Sequence, residues 1–169
     1  MVDDLLRSSM RETYTLNPEK TRSDLNQLLQ ESIEIMKYKA GKYGVELNLY
    51  SKKAVYFRFD RDKIKQVILN IIDNAITHSK TERVDLHLYQ GEKKVVVSIR
   101  DYGQGIPAKR LEQIEKPFSG TDLELITTQS GHGFGLPLSA QIMTAHHGRL
   151  LIRTSEDAGT TVFLIFYRK

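Results

Sequence analysis

Three short stretches carry groups whose types and spacing suit chemistry. In Asn70-Ile-Ile-Asp-Asn74 two amides stand four residues apart, which puts them on one side of a helix. Asp101-Tyr-Gly-Gln-Gly-Ile106 sets a carboxylate ahead of a glycine turn. Gly131-His-Gly-Phe-Gly-Leu136 alternates glycine with other residues before a helix-like run. Glycine lets the backbone lie close against a ligand, and N–H groups at such a turn, opening onto a helix, favour an anion such as phosphate. Each stretch also has a structural reading. A buried helix amide often satisfies a neighbouring loop, an Asp before Gly-x-Gly often bonds its own turn, and a glycine-rich loop is often a connector. All three in this order, with the Ser/Thr/Gly-rich segment 119–130 between the glycine motifs, are hard to attribute to chance.

These stretches sit in a chain of 169 residues, most naturally one domain with an appendage. At 40% hydrophobic residues it can bury a sizeable core. The absence of cysteine excludes disulfides, zinc–thiolate sites and cysteine nucleophiles. No apolar run reaches the ~18 residues of a membrane span, and the acidic start lacks a signal-peptide core. The net charge of +4 is dispersed, so no nucleic-acid partner is expected.

The elements that must position the three stretches follow from periodicity. Residues 1–22 read as a lead-in, and 23–169 as the working domain. Ser23 or Asp24 can cap a helix in which Leu25, Leu28, Leu29, Ile33, Met36 and Ala40 recur at helical spacing. Val45, Leu47 and Leu49, then Val55, Phe57 and Phe59, alternate with other residues as two strands and suggest a hairpin. Asp60 or Asp62 opens a mostly buried helix to about Lys80 that carries both amides. Hairpins are expected at 83–100 and 149–167, a short helix after Pro107, and a helix through about His147 stopped by Gly148. Hairpins imply a largely antiparallel sheet with the helices gathered on one face. The expected fold class is therefore α+β, a two-layer α/β sandwich.

Over most of its length, from about Leu25 to Phe166, the chain resembles the nucleotide-binding catalytic domain of sensor histidine kinases. That domain belongs to the wider GHKL superfamily of gyrase, mismatch-repair, chaperone and kinase ATP sites, with its Bergerat-type fold. The run from Asp62 to Ile76 resembles the family's N box, Asp101 to Pro107 its first glycine box, Phe118 the end of its phenylalanine box, and Gly131 to Leu136 its second glycine box. The resemblance implies ATP and Mg²⁺ as cofactors. Asp101 would accept a hydrogen bond from the adenine amino group, and Asn70 and Asn74 would offer oxygens to Mg²⁺. Gly103, Gly105 and Ile106 would lie along the nucleotide, and Gly131, His132, Gly133, Phe134, Gly135 and Leu136 around the phosphates. Phe118, His78 and Thr161 would complete the site, and 119–130 would be a lid. Relatives that hydrolyse ATP or phosphorylate serine carry Glu where Asn70 stands, so the resemblance favours a histidine acceptor.

The implied activity is transfer of the γ-phosphoryl to a histidine of a dimerisation domain, for relay to a response regulator. No histidine of the chain suits that acceptor role, so residues 1–22 are expected to be the remnant of a dimerisation helix and linker. The intact protein would be a homodimer with this domain in the cytoplasm, membrane-anchored or free, and the fragment a monomer. The chain departs from the pattern at Thr77-His78 (usually Lys-Tyr), Glu115 (Phe), Gly120 (Arg) and Phe134 (Leu). A degenerate regulatory nucleotide module, and a stand-alone serine kinase or ATPase of the superfamily, are the alternative readings.

Overall fold

A computed structural model describes residues 17–115 and 135–168. Its elements are β1 (Thr21–Asp24), α1 (Leu25–Lys42), β2 (Glu46–Tyr50), β3 (Tyr56–Phe59), α2 (Arg61–His78), β4 (Arg83–Gln90), β5 (Lys94–Asp101), α3 (Ala108–Glu115), α4 (Gly135–Ala145), β6 (Arg149–Ser155) and β7 (Gly159–Tyr167). Five strands form one sheet in the order β2-β4-β5-β7-β6, and β1 and β3 make a separate antiparallel pair. All pairs of the large sheet are antiparallel except β2 with β4.

Alternation sets which face is dry. Val95, Val97 and Ile99 on β5 stand opposite Phe166, Leu164 and Val162 on β7, and all are buried. On this face lie α1, α2 and α4. The buried stripe of α2 (Ile64, Val67, Ile68, Ile71, Ile72, Ala75, Ile76) is the centre of the core, with α1 on one side and α4 on the other. Each fully buried aliphatic side chain there contributes ~1.5–3 kcal/mol by its removal from water. This is the expected two-layer sandwich.

Two expectations are corrected. The strands at 45–49 and 55–59 do not form a hairpin: β2 pairs in parallel with β4, and β3 turns away to β1. The cause is Asp24. Its carboxylate caps α1 through Asn26 N–H (3.0 Å) and also accepts Val55 N–H (2.9 Å), while Val55 O accepts Leu25 N–H (2.9 Å). These bonds draw the start of β3 to the head of α1. Alternation reveals a strand but not its neighbour, and it gave no sign of β1. The second correction is the end of α4. His147, not Gly148, takes the left-handed conformation, with φ of 56°. A Cβ on Gly148 would overlap Ile165 O, so that glycine makes room for β7.

The start of α2 and the end of α4 meet at one buried histidine. His146 Nδ1 lies 2.7 Å from Ile142 O, which can only accept, so Nδ1 carries the proton. Its Nε2 then accepts from Asp60 N–H at 3.0 Å. The Asp60 carboxylate caps α2 through Lys63 N–H (3.2 Å) and accepts Glu19 N–H (2.9 Å). Burial lowers the pKa of His146, against the raising effect of Ile142 O; Lys20 and Lys63 add to the lowering and Asp60 opposes it.

A depressed histidine pKa means stability is held above the unfolded value of about 6.5 and lost as pH falls from there towards the folded value. Urea unfolding should therefore show a less stable wild-type chain at about pH 5.5 than at about pH 7.5. His146→Leu should remove this component of the pH dependence and cost about 1–3 kcal/mol at the higher pH by leaving Asp60 N–H buried without an acceptor. Equal pH slopes for the two proteins would rule out His146 as the source of this dependence.

Candidate functional site

Asn70 and Asn74 stand half-buried on α2, beside its apolar stripe. Asn70 Nδ2 donates to Ser139 Oγ on α4 at 3.2 Å. Gly135, the first residue of α4, rests against the same amide, and a Cβ there would overlap both Asn70 Oδ1 and Nδ2. The amide stretch and the end of the second glycine stretch thus touch. Asn70 has a structural partner as well as an oxygen left to accept.

Asp101 ends β5 on the helix-covered face and is buried. Its Oδ1 accepts Gly103 N–H (3.1 Å) and Thr160 N–H (3.2 Å), and its Oδ2 takes part in neither bond. The first bond is turn chemistry, and the second ties the turn to β7. Burial raises the Asp101 pKa; the N–H groups of Gly103 and Thr160 and the charge of Arg100 work against it.

The turn is clamped on two sides. Gln104 N–H donates to Ser79 O at 2.8 Å and its side-chain amide to His78 O at 3.0 Å, which ties it to the end of α2. Ile106 N–H donates to Thr154 Oγ1 at 2.8 Å, which ties it to β6. A Cβ on Gly103 would overlap Ser79 O. Gly105 has φ of 71°, and its Cβ would overlap Ser155 O. These two glycines are therefore required by the protein's own backbone, apart from any ligand.

Asn70, Asn74, Asp101, the 103–106 turn and Gly135 are thus linked through α2, β7 and α4. Leu136 is half-buried against the core. The His78 ring is exposed at the end of α2. Thr161 is not brought in: it pairs with Arg100 and Arg153 on the opposite face of the sheet. Its neighbour Thr160 is the residue bonded to Asp101, and its parity with buried Val162 and Leu164 was the available signal. Ser139 was also missed. A lone buried hydroxyl in the apolar run Leu136-Pro-Leu-Ser139 was the clue. Phe118 and Gly131 to Phe134 lie outside the described residues.

Residues 59–169 match the family model described as histidine kinase-, DNA gyrase B-, and HSP90-like ATPase. The chain belongs to this ATPase family. The match takes in every candidate residue above. Within the family, the chain is 30% identical over 167 residues to the sensor protein kinase WalK of Staphylococcus aureus, covering 97% of this chain and 40% of that protein. Against the WalK of strain JH9 the identity is the same and the coverage is 27% of the relative, so the chain spans well under half of these proteins. The catalytic domain of histidine kinase ThkA superposes with a TM-score of 0.74 at 25% identity, covering 88% of this chain and 97% of that one. The Acinetobacter baumannii histidine kinase AdeS shares the fold, with a TM-score of 0.71 at 23% identity, covering 98% and 76%.

The glycine packing has a measurable signature. Gly103→Ala should lower the thermal stability of the nucleotide-free chain by an amount equivalent to about 1–3 kcal/mol, as overpacking does. Unchanged melting would return Gly103 to a purely ligand-facing role. Gly135→Ala should be destabilising alone but less so in an Asn70→Ala background, where space opens for the new methyl. Strict additivity would mean the two residues do not touch.

Proposed function

We propose that this chain is the ATP-binding catalytic domain of a sensor histidine kinase, transferring the γ-phosphoryl of ATP to a histidine on a dimerisation domain. A response regulator then receives the group. The observation that carries the reading is Asn70, held between Ser139 and Gly135. A hydroxyl or water nucleophile needs a base at this point, and an amide cannot take a proton. A neutral imidazole has a free lone pair near pH 7. Its ring nitrogen forms the new bond to the γ-phosphorus as the bond to the β–γ bridging oxygen breaks and ADP leaves. Positioning and charge neutralisation then supply most of the catalysis.

Asp101 reads the base. With Oδ1 held by Gly103 and Thr160, Oδ2 accepts from the adenine amino group. Guanine offers a carbonyl there, and two acceptors facing one another without a proton are repelled. Because burial raises the Asp101 pKa, adenine recognition weakens, as pH falls, sooner than it would for an aspartate of ordinary pKa.

Mg²⁺ fits the donor set. Among the described residues no group of three or more His, Asp or Glu side chains could hold a metal, so a cation here draws on amide oxygens, phosphate oxygens and water. Mg²⁺ accepts that set. Asn70 spends its nitrogen on Ser139, which leaves Oδ1 to bind, and Asn74 lies one turn on. When bound, the ion neutralises phosphate charge. The full-length protein is a homodimer with this domain on the cytoplasmic side. No described helix is long and apolar enough to cross a membrane.

Calorimetry on this chain with a non-hydrolysable ATP analogue tests the assignments. Asp101→Ala should cost at least about tenfold in affinity, or ~1.4 kcal/mol. Asn74→Ala should remove the gain that Mg²⁺ gives while sparing metal-free binding. Retained adenine affinity in the first variant, or an unchanged Mg²⁺ response in the second, would sink the corresponding role.

A further inference from the structure

The sheet face opposite the helices has an apolar centre. Phe163 and Ile165 on β7, Val96 on β5 and Leu151 on β6 stand together at its centre, since Phe163 registers with Leu151 and Ile165 with Val96. Toward β2, His87 stacks with Tyr50 (4.6 Å) and with Tyr89 (5.8 Å). Leu151, Tyr50 and Tyr89 are 43%, 51% and 55% exposed. Arg100, Arg149 and Arg153 stand exposed around this patch, on the same face by register. Its central carboxylate, Asp85, is buried and already occupied by Arg83, Tyr102 Oη and Asn48. Glu46 stands at the outer edge strand. The basic rim therefore faces solvent with little acid to balance it.

We propose that this face docks an acidic segment of a partner protein that carries aromatic or aliphatic side chains. The guanidinium of Arg100 lies over the Tyr102 ring (4.6 Å) and that of Arg153 over the Phe163 ring (5.6 Å). Stacked guanidiniums keep their N–H edges free for carboxylates. The charge argues against a second copy, because two basic rims repel. Five strands at about 4.8 Å span about 19 Å, and a face some 20 Å long offers ~400 Å², half of the ~800 Å² per partner of a stable association. The ring geometry argues against nucleic acid. Bases need open ring faces, and the rings here are stacked on one another (Tyr50 on His87, His87 on Tyr89) or capped by a guanidinium (Arg153 over Phe163). The surface is separate from the nucleotide site and does not rest on the kinase reading.

The test is amide chemical-shift mapping on the ¹⁵N-labelled chain. The probes are a repeating Glu-Glu-Tyr peptide of about fifteen residues, its Lys-Lys-Tyr counterpart and an oligothymidine of equal length. The acidic peptide should shift Val96, Leu151 and Phe163 and bind at least about tenfold more tightly than either comparator. Arg149→Glu with Arg153→Glu should abolish those shifts, while Arg149→Lys with Arg153→Lys retains them. Unchanged amide positions elsewhere would show that both variants are folded. No binding at millimolar peptide, shifts on the helical face, indifference to charge reversal, equal or tighter oligothymidine binding, or self-association through this face would each overturn the proposal.

Discussion

Everything at the site hangs on the pairing of α2 with α4, which is pinned at two points. At one end Asp60 N–H meets the His146 ring; at the other Asn70 meets Gly135 and Ser139. Asp60 and Asn70 are ten residues apart and His146 and Gly135 eleven, so at 1.5 Å per residue the two spans are about 15 and 16.5 Å. The lengths agree because the helices run antiparallel. The buried histidine thus fixes the register in which the glycine stretch meets the amide helix. The neutral ring is essential to that role, because a protonated Nε2 could not accept Asp60 N–H.

The other half of the site hangs on the 103–106 turn. Its backbone is held by Ser79, Thr154 and Asp157, and its glycines give the clearance those contacts need. On the far side of the sheet Tyr102 is held by Asp85 and flanked by the guanidiniums of Arg83 and Arg100. Asp101 is thereby gripped through its neighbours on both faces. A carboxylate that must stay put while buried needs such support, since burial alone pushes it toward the neutral form. The glycine pattern that marks nucleotide sites in this family is, in this chain, first a solution to packing.

Much of this was legible in the sequence because it is local. The α2 stripe, its Asp60 cap, the two glycine motifs and the hairpins at 83–101 and 149–167 follow from periodicity and turn chemistry. What was not legible depends on who meets whom. Alternation identified residues 55–59 as a strand, but the Asp24 bond that drew it to β1 spans 31 residues of sequence. The family pattern pointed at Thr161, whereas the pleat puts Thr160 on the helix-covered face beside Asp101. His146 sat beside an obvious glycine stop and gave no sign of being a buried acceptor. Ser139 was hidden by its apolar neighbours. In each case the deciding contact is long-range, and no local pattern encodes it.

The strand order has a consequence for how such a domain can be made. β7, the last strand described, lies inside the sheet between β5 and β6 rather than at its edge. During vectorial synthesis the β4–β5 hairpin emerges before β7, and the free edge of β5 waits for a partner more than fifty residues downstream. Until β7 arrives, β6 has nothing to pair with and the dry face of β5 is only half bordered. An unpaired apolar strand edge invites association with other chains. The nascent chain therefore passes through a vulnerable interval that ends only when β7 slots into the middle of the sheet.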